Sequence, residues 1–76
     1  MTLLEAKIGF VYELESIELE AAVQRRMEML GMTHRAKIQV MNKKRNGSVI
    51  FKVRGTRFAI GKRFAEGIHL GGADHE

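Results

Sequence analysis

Ser48-Val49-Ile50-Phe51-Lys52-Val53-Arg54-Gly55-Thr56-Arg57-Phe58-Ala59-Ile60 is the stretch that decides the fold. Val49, Phe51 and Val53 recur at every second position, Arg54-Gly55 interrupts them, and Phe58 and Ile60 resume the alternation, so two strands fold back on one tight corner. Upstream, Ala36 to Met41 alternates with Ile38 and Val40 inward and Lys37 and Gln39 outward. The polar run Asn42-Lys43-Lys44-Arg45-Asn46-Gly47 then supplies the turn of a preceding hairpin. Three strands in succession with tight corners make a meander.

Outward from that meander the chain supplies two more strands and one helix. Gly9 to Ile17 reads as a first strand, with Phe10, Tyr12 and Leu14 on one face and Glu13 and Glu15 on the other, although Val11 blurs the alternation. From Glu18 the period becomes helical: Leu19, Ala22, Val23, Met27 and Leu30 fall on one stripe, with Ser16 placed to cap the start and Gly31 to end it. The stripe reads as a cover for the core. Gly31 and Gly55 read as structural turn residues. Lys62 to Glu66 suffices for one helical turn, Ile68 to Leu70 for a brief last strand, and residues 71–76 read as a disordered C-terminal tail after a single domain over 1–70. The fold class is therefore mostly β, or α+β by count. The expected form is a small SH3-like barrel of about five short antiparallel strands, with one helix inserted after the first, curled to hide its edges.

With 76 residues there is room for one compact domain, and a chain this short buries only about 60% of its unfolded surface. There is no Cys to staple it, which fits a reducing compartment, and no apolar run approaches the roughly 18 residues of a membrane span. Met1-Thr2-Leu3-Leu4-Glu5 lacks the basic start of a signal peptide, so the expected location is cytoplasmic, without direct membrane insertion.

Charge is strongly polarised along the chain. Arg35 to Arg63 holds ten Lys or Arg and no acid, whereas five of the nine acids lie in the first 20 residues, so the net charge of +4 understates the asymmetry. That asymmetry points to a charged partner. Enzymatic chemistry finds little support: there is no Cys, no acid between Glu28 and Glu66, and no base beside Ser16, Ser48 or Thr56 in sequence. His34, His69 and His75 are weak metal candidates, and no cofactor is indicated. The glycines open no phosphate loop. Lys43, Lys44 and Arg45 at a turn tip, with Lys52, Arg54 and Arg57 on the sheet, would suit nucleic-acid phosphates, but Phe51, Phe58 and Phe64 read as core residues and leave few stacking platforms.

The order Leu30-Gly31-Met32 after an Arg-containing helix, then Val53-Arg54-Gly55-Thr56, Phe58-Ala59-Ile60-Gly61, Ala65 and Ile68, resembles the ferrous iron transport protein A (FeoA) family. The likeness runs from about Leu3 to Leu70. It implies an SH3-like barrel, without catalysis of its own, that acts as a cytoplasmic accessory protein on FeoB, a membrane permease with a GTP-binding domain that imports ferrous iron. Two departures stand out: His34-Arg35 replaces a frequent Pro-Gly, and Asn46-Gly47 stands where a Pro is often found. Because the family's contacts form no sharp motif, Met32, Arg54, Arg57, Lys62 and Arg63 are taken as partner-binding candidates from charge and expected exposure. A small basic nucleic-acid-binding barrel and a metal-sensing module are the alternatives, though nucleic acid is not the expected partner, and weak self-association through a barrel edge stays open.

Overall fold

The computed structural model describes residues 1–75, with side chains described through Gly72. Five strands, β1 (Phe10–Ile17), β2 (Lys37–Lys43), β3 (Val49–Val53), β4 (Thr56–Ile60) and β5 (Ile68–His75), form one antiparallel sheet in the order β4-β3-β2-β1-β5. Helix α1 (Ala21–Met29) follows β1, and the single turn α2 (Lys62–Ala65) joins β4 to β5. A 3₁₀ turn over Leu3–Glu5 precedes the sheet.

Sequence alternation places the core. Ile38, Val40, Val49, Phe51 and Val53 are buried on the inner face with Tyr12 and Leu14 of β1 and Ile68 and Leu70 of β5. Phe58 and Ile60 are only half-buried, because β4 is an edge strand with a neighbour on one side. Phe51 and Phe58 still stack across the β3–β4 ladder, ring centres 5.5 Å apart.

The decisive corner is a two-residue loop. Val53 pairs with Thr56, and Arg54 (φ 51°) and Gly55 (φ 81°) both take left-handed backbone, the geometry of a type I′ hairpin whose twist matches the strands it joins. The β2–β3 turn closes through Lys44 N–H donating to Ser48 O at 2.8 Å, with Asn46 Oδ1 accepting from Ser48 N–H at 3.0 Å.

Several boundaries differ from the sequence expectation, each for a local reason. Ser16 does not cap α1: it lies within β1 opposite His69, because a bulge between Leu14 and Ser16 carries the strand on to Ile17. The bulge also explains why Leu14 and Ile17, three positions apart, are both buried. The helix therefore starts at Ala21, after Glu20, which makes no side-chain cap. The last strand does not stop at Leu70. It runs to His75, with Gly71 opposite Glu13, Asp74 opposite Val11 and His75 opposite Phe10, so residues 71–75 are strand and not a disordered tail. Glu76 lies outside the described residues. Backbone pairing with β1 supplies what the sequence there lacks in apolar alternation.

The 3₁₀ turn is tied down from both ends. Leu3 and Ala6 are fully buried, the Glu5 carboxylate accepts from Thr2 N–H at 2.8 Å, and Lys43 Nζ donates to Leu4 O at 2.7 Å and Ala6 O at 2.8 Å. Lys43 is thus a strand residue engaged internally, not a free cation at the turn tip.

Candidate partner-docking site

Helix α1 buries none of its residues completely, which is unusual for the only helix of more than one turn among those described. Val23 and Met27 are half-buried, Ala22 is exposed, and Leu30 and Met29 are 52% and 82% exposed. The apolar stripe covers the core only in part, and its remainder faces outward. A cleft of about 240 Å³ opens there, lined by Val23, Arg26, Met27, Leu30, Met32, Phe58 and Phe64.

Each wall has a local cause. Met27 and Met32 are brought together by the helix C-terminus: Met32 N–H donates to Met27 O at 3.0 Å and Gly31 N–H to Glu28 O at 3.1 Å, the two bonds of a Schellman motif. Gly31 at φ 106° makes that turn, and a Cβ there would lie 3.0 Å from Arg54 Cδ. Phe58 reaches the cleft from β4, and Phe64, 40% exposed, closes it from α2. Arg63 lines the adjoining hollow with Leu19, Glu20, Val23 and Phe64, so Arg26 and Arg63 both stand beside apolar surface.

The expected partner contacts divide. Met32 is 1% exposed and belongs to the core, which corrects its place among surface candidates: the helix-ending turn that carries it folds it under α1. Arg54, Arg57, Lys62 and Arg63 are all exposed. Arg57 lies opposite Lys52 on the outer face of the sheet, while Lys62 lays its aliphatic chain over Gly47, whose added Cβ would meet Lys62 Cβ at 2.8 Å. Arg54 leans back over Gly31, with Nη2 3.5 Å from Thr33 Oγ1.

The two histidines with described side chains, His34 and His69, have separate partners. His34 Nδ1 lies 3.0 Å from Glu15 O, His69 Nε2 lies 2.8 Å from Glu18 Oε1, and the His75 side chain lies outside the described residues. Among the described residues no three His, Cys, Asp or Glu side chains are grouped to hold a metal ion. Among the described residues Glu13 is the acid most engaged by cations: Lys37 Nζ at 2.9 Å and Arg35 Nε at 3.6 Å hold its carboxyl below the usual range, the Lys37 hydrogen bond contributing most. The Glu5 carboxyl is lowered chiefly by the Thr2 backbone N–H it accepts.

Comparison with known proteins agrees with this architecture. The FeoA domain family matches residues 1–70. The chain belongs to the FeoA family. The FeoA protein of Chlorobium tepidum is 32% identical and superposes with a TM-score of 0.86, over 93% of this chain and 69% of that one. An FeoA described as an iron uptake regulatory protein is 30% identical, with a TM-score of 0.82 and coverage of 93% and 95%. The FeoA of Stenotrophomonas maltophilia, solved with zinc and described as a prokaryotic SH3 domain protein and candidate activating factor of bacterial ferrous iron transport, is 25% identical, with a TM-score of 0.78 and coverage of 92% and 88%. No curated protein matches this FeoA chain at a significant level. The fold is SH3-like, and sequence order alone pointed to it through the β2–β3–β4 meander. What sequence did not reveal in this FeoA is the open cleft, because the stripe of α1 looks the same whether it seals a core or leaves half of itself outside. Leu30 and Met29 at the exposed end of the helix were the only available signal.

Proposed function

We propose that this FeoA chain is a non-catalytic accessory factor of ferrous iron uptake that docks on the cytoplasmic part of a FeoB-type permease and modulates its transport. The observation that carries the reading is the cleft between α1 and α2: Phe64 and Leu30 offer apolar anchors at 40% and 52% exposure, and Arg26 and Arg63 border them. Interfaces concentrate their binding energy in such anchors, and bordering charges set approach and register. A partner segment with apolar residues flanked by acids fits that arrangement. Among the described residues no helix is long and apolar enough to cross a membrane. In this reading iron passage is the partner's and modulation this chain's.

Titration of the folded chain against the isolated cytoplasmic domain of the permease tests the reading. Binding is expected at low ionic strength, weaker at about 0.15 M salt, and about tenfold or more weaker for Phe64→Asp, which places a charge on the apolar anchor. Absence of binding at low salt to both the isolated domain and the intact permease in detergent would overturn it. Iron uptake by cells with and without the chain then gives the sign of the modulation.

A further inference from the structure

The outer face of the sheet has a character opposite to that of the cleft. Residues directly opposite one another form a row across the sheet, Asp74 on β5, Val11 on β1, Gln39 on β2, Lys52 on β3 and Arg57 on β4, so the cations stand at its β3–β4 end and the acid at its far end. Lys37, Lys52 and Arg54 surround a shallow hollow with Val11, Gln39 and Gly55. Lys52, Arg54 and Arg57 are exposed and have no acidic partner among the described residues, while Lys37 is shared with Glu13. Lys44 and Arg45 lie exposed in the turn at the far end of the same β2–β3 hairpin.

Like charges directly opposite on a ladder repel, so the Lys52–Arg57 pair is held against its own electrostatics. An external anion would relieve it. Three kinds of polyanion offer one. Single-stranded nucleic acid favours exposed aromatic platforms, and here Phe51 and Tyr12 are buried and Phe58 stacks inward on Phe51. An acidic protein favours a protruding apolar anchor at the centre of the patch; the hollow has none larger than Val11, and Ile50, two positions from Lys52 on the same face of β3, is half-buried. A lipid surface requires neither, only several cations on an accessible face, each gaining from the negative surface potential.

We propose that the outer face of strands β2–β4 is an adsorption surface for anionic, phosphate-bearing lipid headgroups. Lys52, Arg54 and Arg57 are its principal contacts, and Gln39 offers a neutral hydrogen-bonding group beside them. Phe58 and Arg57 are neighbours on β4 and so point to opposite faces, which puts the lipid surface and the apolar cleft on opposite sides of that strand. The chain can thus adsorb with its cleft open. This inference does not depend on the permease.

Co-sedimentation of the full chain with lipid vesicles tests it. Phosphatidylcholine vesicles containing phosphatidylglycerol are expected to bring the chain down, and pure phosphatidylcholine vesicles are not. Lys52→Gln and Arg57→Gln are each expected to weaken binding about fivefold, the double variant roughly twentyfold or more. Phe64→Asp, in the cleft, is expected to leave it unchanged. Equal binding to both vesicle types, no binding to either, or neutralised variants that bind as the native chain does would each overturn the proposal. So would an oligonucleotide or polyglutamate that holds the chain more tightly than the anionic vesicles under the same buffer. Because the vesicles contain no permease, none of these outcomes bears on docking to it.

Discussion

Two glycines separate backbone strain from side-chain crowding. Gly55 has a φ of 81° and open space where a Cβ would stand, so Gly55→Ala costs only the left-handed conformation, about 1–2 kcal/mol. Gly31 has a φ of 106° and Arg54 Cδ 3.0 Å from the added Cβ, so Gly31→Ala is expected to cost more. The excess comes from a flexible side chain and should disappear in a Gly31→Ala, Arg54→Ala double-mutant cycle followed by urea unfolding. A Gly31→Ala loss equal to that of Gly55→Ala, with no coupling to Arg54, would refute the contact. At the same scale, Glu13 gives the stability a dependence on acid. Its folded pKa lies below the value in the unfolded chain, so its contribution is present above the unfolded value of about 4.5 and is lost as pH falls through the folded one. Glu13→Gln should therefore flatten the acid side of a melting-temperature profile and leave the neutral side parallel to that of the native chain.

Among the elements, β3 and α1 contrast in burial. β3 has a partner on each side and buries Val49, Phe51 and Val53, whereas α1 buries no residue fully. Local opening follows buried contact, so amide exchange in α1 is expected to be faster than in β3 by orders of magnitude, with α1 opening before the sheet unfolds. Protection in α1 equal to that in β3 would mean the helix is held by more than its half-buried stripe. This contrast marks how far sequence reached. The β2–β3–β4 meander was legible because alternation, polar turn and Arg54-Gly55 agree within a short span. The far end of β5 was not, because Gly71 and Gly72 carry no alternation and the strand there is made by its backbone pairing to β1. Nor was the 3₁₀ turn at Leu3, whose anchoring by Lys43 spans 39 positions to Leu4 and 37 to Ala6. Ser16 misled because a bulge is invisible to a pattern of period two. Met32, a candidate through its expected exposure, is carried inward by the turn that ends α1, a placement that composition does not show.

Over the whole molecule, charge is unevenly paired. The acids near the N-terminus are partly used: Glu13 holds Lys37 and Arg35, and Glu18 meets His69. Lys52 and Arg57 face one another across β3 and β4 with no acid between them among the described residues. A pair arranged for folding alone would carry opposite signs. Lys52→Glu tests this directly, since it converts the repulsive pair into an attractive one without touching the core. The variant should be more stable than the native chain by about 0.2–1 kcal/mol in urea unfolding at low ionic strength, and the gain should shrink as salt screens the pair. The same substitution should abolish adsorption to anionic vesicles, because the row loses one cation and gains an anion. Stability and surface binding would then move in opposite directions from one side chain, as expected where a charge is retained for contact with a partner and not for the fold. A Lys52→Glu chain that is less stable at low salt, or that still adsorbs, would show that the lysine serves the sheet itself.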